Sequence, residues 1–282
     1  MNFWPTPDGQ WRALGSSPSP VGLALTLATM GPIPDIPESE WRPFDYRNDP
    51  NFKVAIKDQG QIGACNGHSG NSSLEVGFYV AGVPHVSLSP WMIYADLCQG
   101  VDRGSNISEA LQLLRDRGTC EERFVPWGTI DPRRLSREAQ ENRVRYKIEI
   151  GYRLTTFREM CIAAQLRQAI NFSVPVNGNF NTLDMYDRPQ NHYGVHNHAV
   201  TGGIYMKKLP TNEWVIGMQN SWGKAWGRNG YCSIGEKNIQ GWGFDAYSVV
   251  ATVVDPLNRP PRLISSQGPS YARTKRLRAA QW

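Results

Sequence analysis

The sequence predicts an α+β fold in which helices come first and strands follow. Three observations carry this. Between Cys65 and Ile170 the chain offers three stretches at helical spacing. After them come short runs rich in Val, Ile and Phe, broken by Gly, Pro and Asn. Helices and strands grouped in this way point to two segregated halves rather than an alternating parallel sheet. With 282 residues, 40% of them hydrophobic and 20% charged, the chain is long enough for one large globular domain or two modest ones.

Residues 1–40 are rich in Pro, Gly, Ser and Thr and read as an extended arm, with one short apolar element at 21–30. From Trp41 the composition becomes globular. The first helix is expected from Cys65 to about Val80. The second runs from Ser105 to Arg117, where Ile107, Ala110, Leu111 and Leu114 recur at helical spacing and Gly118 stops it. The third covers Phe157 to Ile170. Strand-like runs follow at 172–176, 198–206 and 213–219, and KKLPTN between the last two reads as a hairpin loop. Domain boundaries are expected at 40/41 and 254/255.

The net charge of +5 is uneven. Residues 256–282 hold six basic side chains and no acidic one, which leaves the preceding 255 residues at −1. That tail should be mobile alone and suited to an acidic partner or an assembly contact. No apolar run reaches the ~20 residues of a membrane span, and the first residues lack the basic start of a secretory signal, so a soluble protein without a membrane partner is expected. Five cysteines (Cys65, Cys98, Cys120, Cys161, Cys232) have no CxxC spacing. That argues for a cytoplasmic or otherwise reducing compartment and against a zinc ribbon or disulfide framework.

Chemistry centres on DQGQIGACNGHSG, residues 58–70. A thiol attacks as the thiolate, and the N–H groups at the start of a helix headed by Cys65 would favour that form. Gly63 and Ala64 would let a substrate backbone come close, and Gly67 and Gly70 would let the helix pack tightly on a neighbour. An imidazole must share the thiol proton and deliver it to a leaving amine. His198 begins a strand-like run 133 residues after Cys65, and Asn220, 155 residues after it, could orient that ring beneath Trp222.

These motifs, KDQGQIGAC, GSNISEALQLLRDRGTCEERFVPW, NHAV and QNSWGKAWGRNGY, stand in one order over residues 41–252. In that order the chain resembles a papain-like cysteine peptidase of the C1 family. The resemblance implies the papain-like α+β fold, a helical half and a β-rich half with the site between them, and hydrolysis of a polypeptide through a Cys65 acyl-enzyme without a cofactor. It implies Cys65 as nucleophile, His198 as general base and acid, and Asn220 as the group orienting it. It also implies Gln59 as a donor to the oxyanion. Gly63, Gly104, Ser105, Ile107 and Trp222 would line the substrate cleft, with Ile107 on an apolar pocket wall. Cys65 would then be the most reactive thiol, with a depressed pKa.

The departures are Ile62 for a common cysteine, Asn66 for the aromatic that usually follows the nucleophile, and Ser105 for a common glycine, which would keep a substrate backbone further away. The long helical pro-segment of secreted relatives has no counterpart in residues 1–40. The alternative function is a papain fold serving as a structural or interaction component of a larger assembly, such as a virus particle; acyl transfer to an amine would use the same residues.

HYGVHNH (192–198) has a spacing that could attract a metal, but no carboxylate or thiol joins it. His192 and His196 therefore read as loop residues beside the cleft, and no metal is expected. His68 and His85 read as surface or satisfied core histidines. The four other cysteines read as packing residues. Trp91, Trp127, Trp214, Trp226 and Trp242 read as core or interface aromatics.

Overall fold

The computed structural model describes residues 2–20, 30–253 and 262–263, with Gly22 and Ala28 between them. Most of the apolar element expected at 21–30, and the basic tail apart from Arg262 and Leu263, lie outside the described residues.

An antiparallel sheet forms the centre. Its strands run in the order Tyr231–Ile234, Trp214–Gln219, His198–Lys208, Ala169–Val174, Ala246–Val253 and Arg262–Leu263. Phe44–Asp45 also pairs with the His198 strand, and Tyr146–Arg153 with the Ala246 strand. The α+β class expected from the sequence is what the chain adopts. The helix Cys65–Val80 lies on one face, where Leu74 and Phe78 pack with Leu111, Leu114, Ile150 and Val249. The helix Phe157–Gln165 covers the other face, where Met160 and Ala164 join Phe172, Met206 and Ile216.

The Cys65 helix has no apolar stripe because it is buried nearly all round, from Cys65 to Phe78. Its small residues permit this. A Cβ at Gly67 would come within 2.6 Å of the Pro90 carbonyl oxygen, and one at Gly70 within 2.6 Å of Leu114. Its polar groups are used across the interface: Thr201 Oγ1 donates to Ser69 O at 2.9 Å and Asn171 Nδ2 to Ser69 Oγ at 3.2 Å.

The second expected helix is Ile107–Asp116, started by Asn106, whose side chain accepts from Glu109 N. The third ends at Gln165, short of the expected Ile170. Arg167 takes a left-handed φ of 60°, and Ala169–Val174 turns into a fully buried strand. Ile170, Phe172 and Val174 alternate with Asn171 and Ser173, the period of a strand, beginning where the expected helix overruns. Also formed are the helices Pro90–Cys98 and Arg137–Arg143 and the strand Tyr146–Arg153.

The N-terminal arm is not extended throughout. Asn2–Pro5 and Trp11–Leu14 pair antiparallel in a hairpin, with Gly9 in the turn at φ 76°. From Gly15 to Pro20 the chain then crosses the mouth of the site.

Candidate active site

Cys65 is the first residue of its helix and wholly buried. Its thiol lies against backbone amides of Ala199 and Gly15. Ala199 follows His198, which opens its strand and is likewise buried. The Cys65 helix and the His198 strand therefore meet edge to end.

The ring orientation follows from fixed donors. Ser221 N donates to Asn220 Oδ1 at 2.8 Å, which identifies that atom as the oxygen. His198 Nε2 lies 2.7 Å from the same oxygen and so carries the proton. Nδ1 of the neutral ring is left with a lone pair and has no partner. This is the form a general base requires. Trp222 is buried with its ring 4.6 Å from the His198 ring and excludes water from the His198–Asn220 bond.

Gln59 is clamped. Its Oε1 accepts from Ser221 Oγ at 2.7 Å, and its Nε2 donates to Ile62 O at 2.8 Å and to Ala13 O at 3.0 Å. The second acceptor is a carbonyl of the N-terminal segment, so the amide already faces a peptide oxygen entering from the cleft.

That segment fills the cleft. Ser105 N donates to Gly15 O at 2.8 Å, and Ser17 N to Ser105 O at 2.9 Å, a parallel bridge. Ser16 N donates to Asn197 O at 3.1 Å. Gly15 touches Gly63 so closely that a Cβ on it would stand 2.0 Å from Gly63 O. Gly104, at φ 74°, has the same relation to Gly15 O, at 2.5 Å. Further out, Ser19 Oγ donates to the buried Asp245 carboxylate and accepts from Ser108 N at 3.1 Å. At the near end, Arg12 pairs with Asp58 at 2.8 Å and Asp8 at 3.1 Å.

Gly63, Gly104 and Ser105 thus line the cleft, where the chain's own backbone lies. Three sequence expectations change. Ile107 is buried among Leu111 and Leu114 rather than forming an apolar wall; its neighbours Asn106 and Ser108 face the segment instead. Ser105 does not hold a backbone away, because its side chain turns to Asn66 and leaves its N–H and C=O free to pair. The Cys65 pKa is not depressed in this covered state. Burial pushes the thiol up to about 11 and lowers His198 to about 4, so both are neutral.

Sequence reasoning missed Asn66, Ser19, Asp102 and Asp245. Asn66 Nδ2 donates to Ser105 Oγ at 3.0 Å, and Asp102 accepts from Gly63 N at 3.1 Å. In the sequence position 66 stands out only as a departure, and nothing in the spacing marks the two aspartates.

The remaining histidines are accounted for differently. His196 lies in the loop before the His198 strand, as expected, but is buried there and satisfied by Ser173 Oγ at 3.0 Å and Ile239 O at 3.1 Å. Among the described residues no cluster of three or more His, Cys, Asp or Glu forms that could hold a metal. All five cysteines are buried and free. Trp127 and Trp242 are exposed rather than core. No helix among the described residues is long and apolar enough to cross a membrane.

The Cys65 thiol at a helix start lies against the backbone of Ala199, the neighbour in sequence of a His198 ring held by the Asn220 amide, and these are the residue types a thiol hydrolase uses. The family model described as papain family cysteine protease matches residues 41–252, and the chain belongs to that family. It is a papain-like cysteine peptidase. Solved structures share the fold. The digestive procathepsin L 3 of Tenebrio molitor larval midgut is 17% identical, with 80% of this chain and 76% of that chain covered and a TM-score of 0.60. Xylellain, a cysteine protease from Xylella fastidiosa, is 18% identical, with 81% and 97% covered and a TM-score of 0.56. The bromelain protease from Ananas comosus, in complex with the E64 inhibitor, is 20% identical, with 78% and 100% covered and a TM-score of 0.55.

Proposed function

We propose that Cys65, His198, Asn220 and Gln59 hydrolyse peptide bonds once residues 13–19 leave the cleft. The observation that carries this is the 2.7 Å His198–Asn220 bond, which leaves the Nδ1 lone pair as the free base. Nδ1 takes the Cys65 proton as sulfur attacks the scissile carbonyl. Cys65 N–H and Gln59 Nε2 hold the oxyanion, in the way Gln59 already holds the Ala13 carbonyl. The imidazolium gives its proton to the leaving amine, and a water then cleaves the thioester with the same base. Gly63, Gly104 and Ser105 offer the cleft backbone to the substrate, and Trp222 keeps the orienting bond dry.

In this reading residues 1–40 regulate access, 41–254 form the peptidase domain, and the basic residues 255–282 contact an acidic partner. Five unpaired thiols favour a reducing compartment. The test is peptidolysis by the full chain, by Gly15→Ala, which loosens the cover, and by Gly15→Ala/Cys65→Ala. Turnover by the loosened chain that vanishes without Cys65 supports the reading. No turnover by a folded, loosened chain favours the scaffold alternative, to which the covered cleft also lends support.

A further inference from the structure

Behind the site, between the Cys65 helix and the ends of the strands His198–Lys208 and Trp214–Gln219, lies a small cavity of about 10 Å³. His68, Ser69 and Ser72 line it from the helix, and Gln219 at the end of its strand and Asn220 just after it from the other side. That volume is about the space one water molecule needs. Two side-chain atoms of its wall, Asn220 Nδ2 and Gln219 Oε1, are buried without a partner, on residues 2% and 3% exposed.

Their identities are fixed. Ser221 N–H assigns Asn220 Oδ1, so the orphan on that residue is a donor. Gln219 Nε2 donates to Ala55 O at 3.0 Å, so the orphan there is an acceptor. His68 Nδ1 lies 3.0 Å from Ala64 O and must carry the proton, which leaves Nε2 as an acceptor. Ser72 adds a hydroxyl.

A cation is disfavoured by the Asn220 donor and by Lys57 in the wall; an anion is disfavoured by the two acceptors. Mixed donors and acceptors in a space of this size suit water.

We propose that one buried water binds here, accepting from Asn220 Nδ2 and donating to Gln219 Oε1, and that Gln219 and Ser72 are thereby positioning residues for the His198–Asn220 pair. Ser221 N–H holds one edge of the Asn220 amide and the water holds the other. The amide is then fixed against rotation, with its oxygen toward His198. The positioning part rests on the roles proposed above for His198 and Asn220; the water site does not.

The first test is a high-resolution crystal structure of the full chain. A density peak within hydrogen-bond distance of Asn220 Nδ2 and Gln219 Oε1 is expected. An empty cavity, beside other buried waters that are visible, overturns the site. The second test is ¹⁵N NMR of His198 in the full chain, which needs no substrate. Gln219→Met should make exchange of the His198 Nε2 proton with solvent several-fold faster, and Ser72→Ala should do so to a smaller extent. Unchanged exchange in the folded variants overturns the positioning role, and Ser72→Ala carries that test if Gln219→Met does not fold. A chain with the water but no peptidolysis would reject the enzymatic reading and leave the site intact.

Discussion

Gly15→Ala isolates the cover from the chemistry. The new Cβ would stand 2.0 Å from Gly63 O and 2.4 Å from Gly63 C, both backbone atoms that no rotamer change can move. The backbone of the covering segment makes four hydrogen bonds to the cleft, Ser105 N to Gly15 O, Ser17 N to Ser105 O, Ser16 N to Asn197 O and Gln59 Nε2 to Ala13 O. At about 0.5–1.5 kcal/mol net each they contribute about 2–6 kcal/mol. Overpacking costs about 1–3 kcal/mol, a large part of that total. At about 1.4 kcal/mol per tenfold, the open fraction should rise by about 5–150-fold. The assay is iodoacetamide labelling with peptide mapping of Cys65 at neutral pH. In the unaltered chain the thiol is buried and protonated, so labelling must wait for opening. Gly15→Ala should raise the Cys65 rate by that factor while the other four thiols stay slow. An unchanged Cys65 rate in a variant that still carries the alanine and melts normally would refute the argument that this segment gates the site.

The cover should be pH-dependent at both ends. His198 is held down from 6.5 to about 4, so its contribution is complete above about pH 6.5 and is lost as pH falls toward 4. Cys65 is pushed up from 9.0 to about 11, so its contribution is complete below about pH 9 and is lost as pH rises toward 11. Hydrogen exchange at the Ser17 and Ser105 amides, corrected for intrinsic rates, should show greatest protection between those limits; flat protection from pH 4 to 11 would contradict this. Gln59→Ala in the loosened chain should lower kcat by roughly 10²–10³, and an unchanged kcat would remove Gln59 from the oxyanion site. Lys57→Met leaves the wholly buried Glu75, now paired at 3.0 Å, without its cation. Denaturant unfolding should show a loss of about 3–5 kcal/mol, and a neutral result would mean that Glu75 is protonated in the fold.

What was legible in the sequence depended on whether the signal was local. The helix Ile107–Asp116 and the hairpin across KKLPTN were readable because apolar spacing, a glycine stop and turn residues are short-range cues. The end of the third helix was overrun: Ile170, Phe172 and Val174 alternate with Asn171 and Ser173 at strand period, but the stop itself is a left-handed Arg167 and not a glycine. Ser89–Pro90 marked a helix start, and YKIEIGYR alternates as a half-buried strand, so those two elements could have been found. The positions of Cys65, His198 and Asn220 came from motifs that stand in order. The cover over them did not. Its backbone bonds to Ser105, Asn197 and Gln59 join residues 46 to 181 positions apart, and such bonds leave no mark on side-chain pattern.

The two departures at 66 and 105 gain a physical meaning from this. Each alone looked like a local flaw in a cleft wall. In the fold they are bonded to each other, Asn66 Nδ2 to Ser105 Oγ at 3.0 Å, and the free Asn66 oxygen faces Ser16 Oγ of the covering segment at 3.5 Å. An aromatic at 66 could not accept from Ser16, and a glycine at 105 would leave the Asn66 amide without its acceptor in a nearly closed space, at a cost of about 1–3 kcal/mol for an unmet buried group. The pair is therefore self-consistent. The side chains of Asn66 and Asp245 and the backbone of Ser105 and Ser108 present hydrogen-bonding groups to a segment reading GSSPSP, whose serines supply complementary ones. The wall and its cover match in polarity, and the departures from the family pattern fall where the two meet.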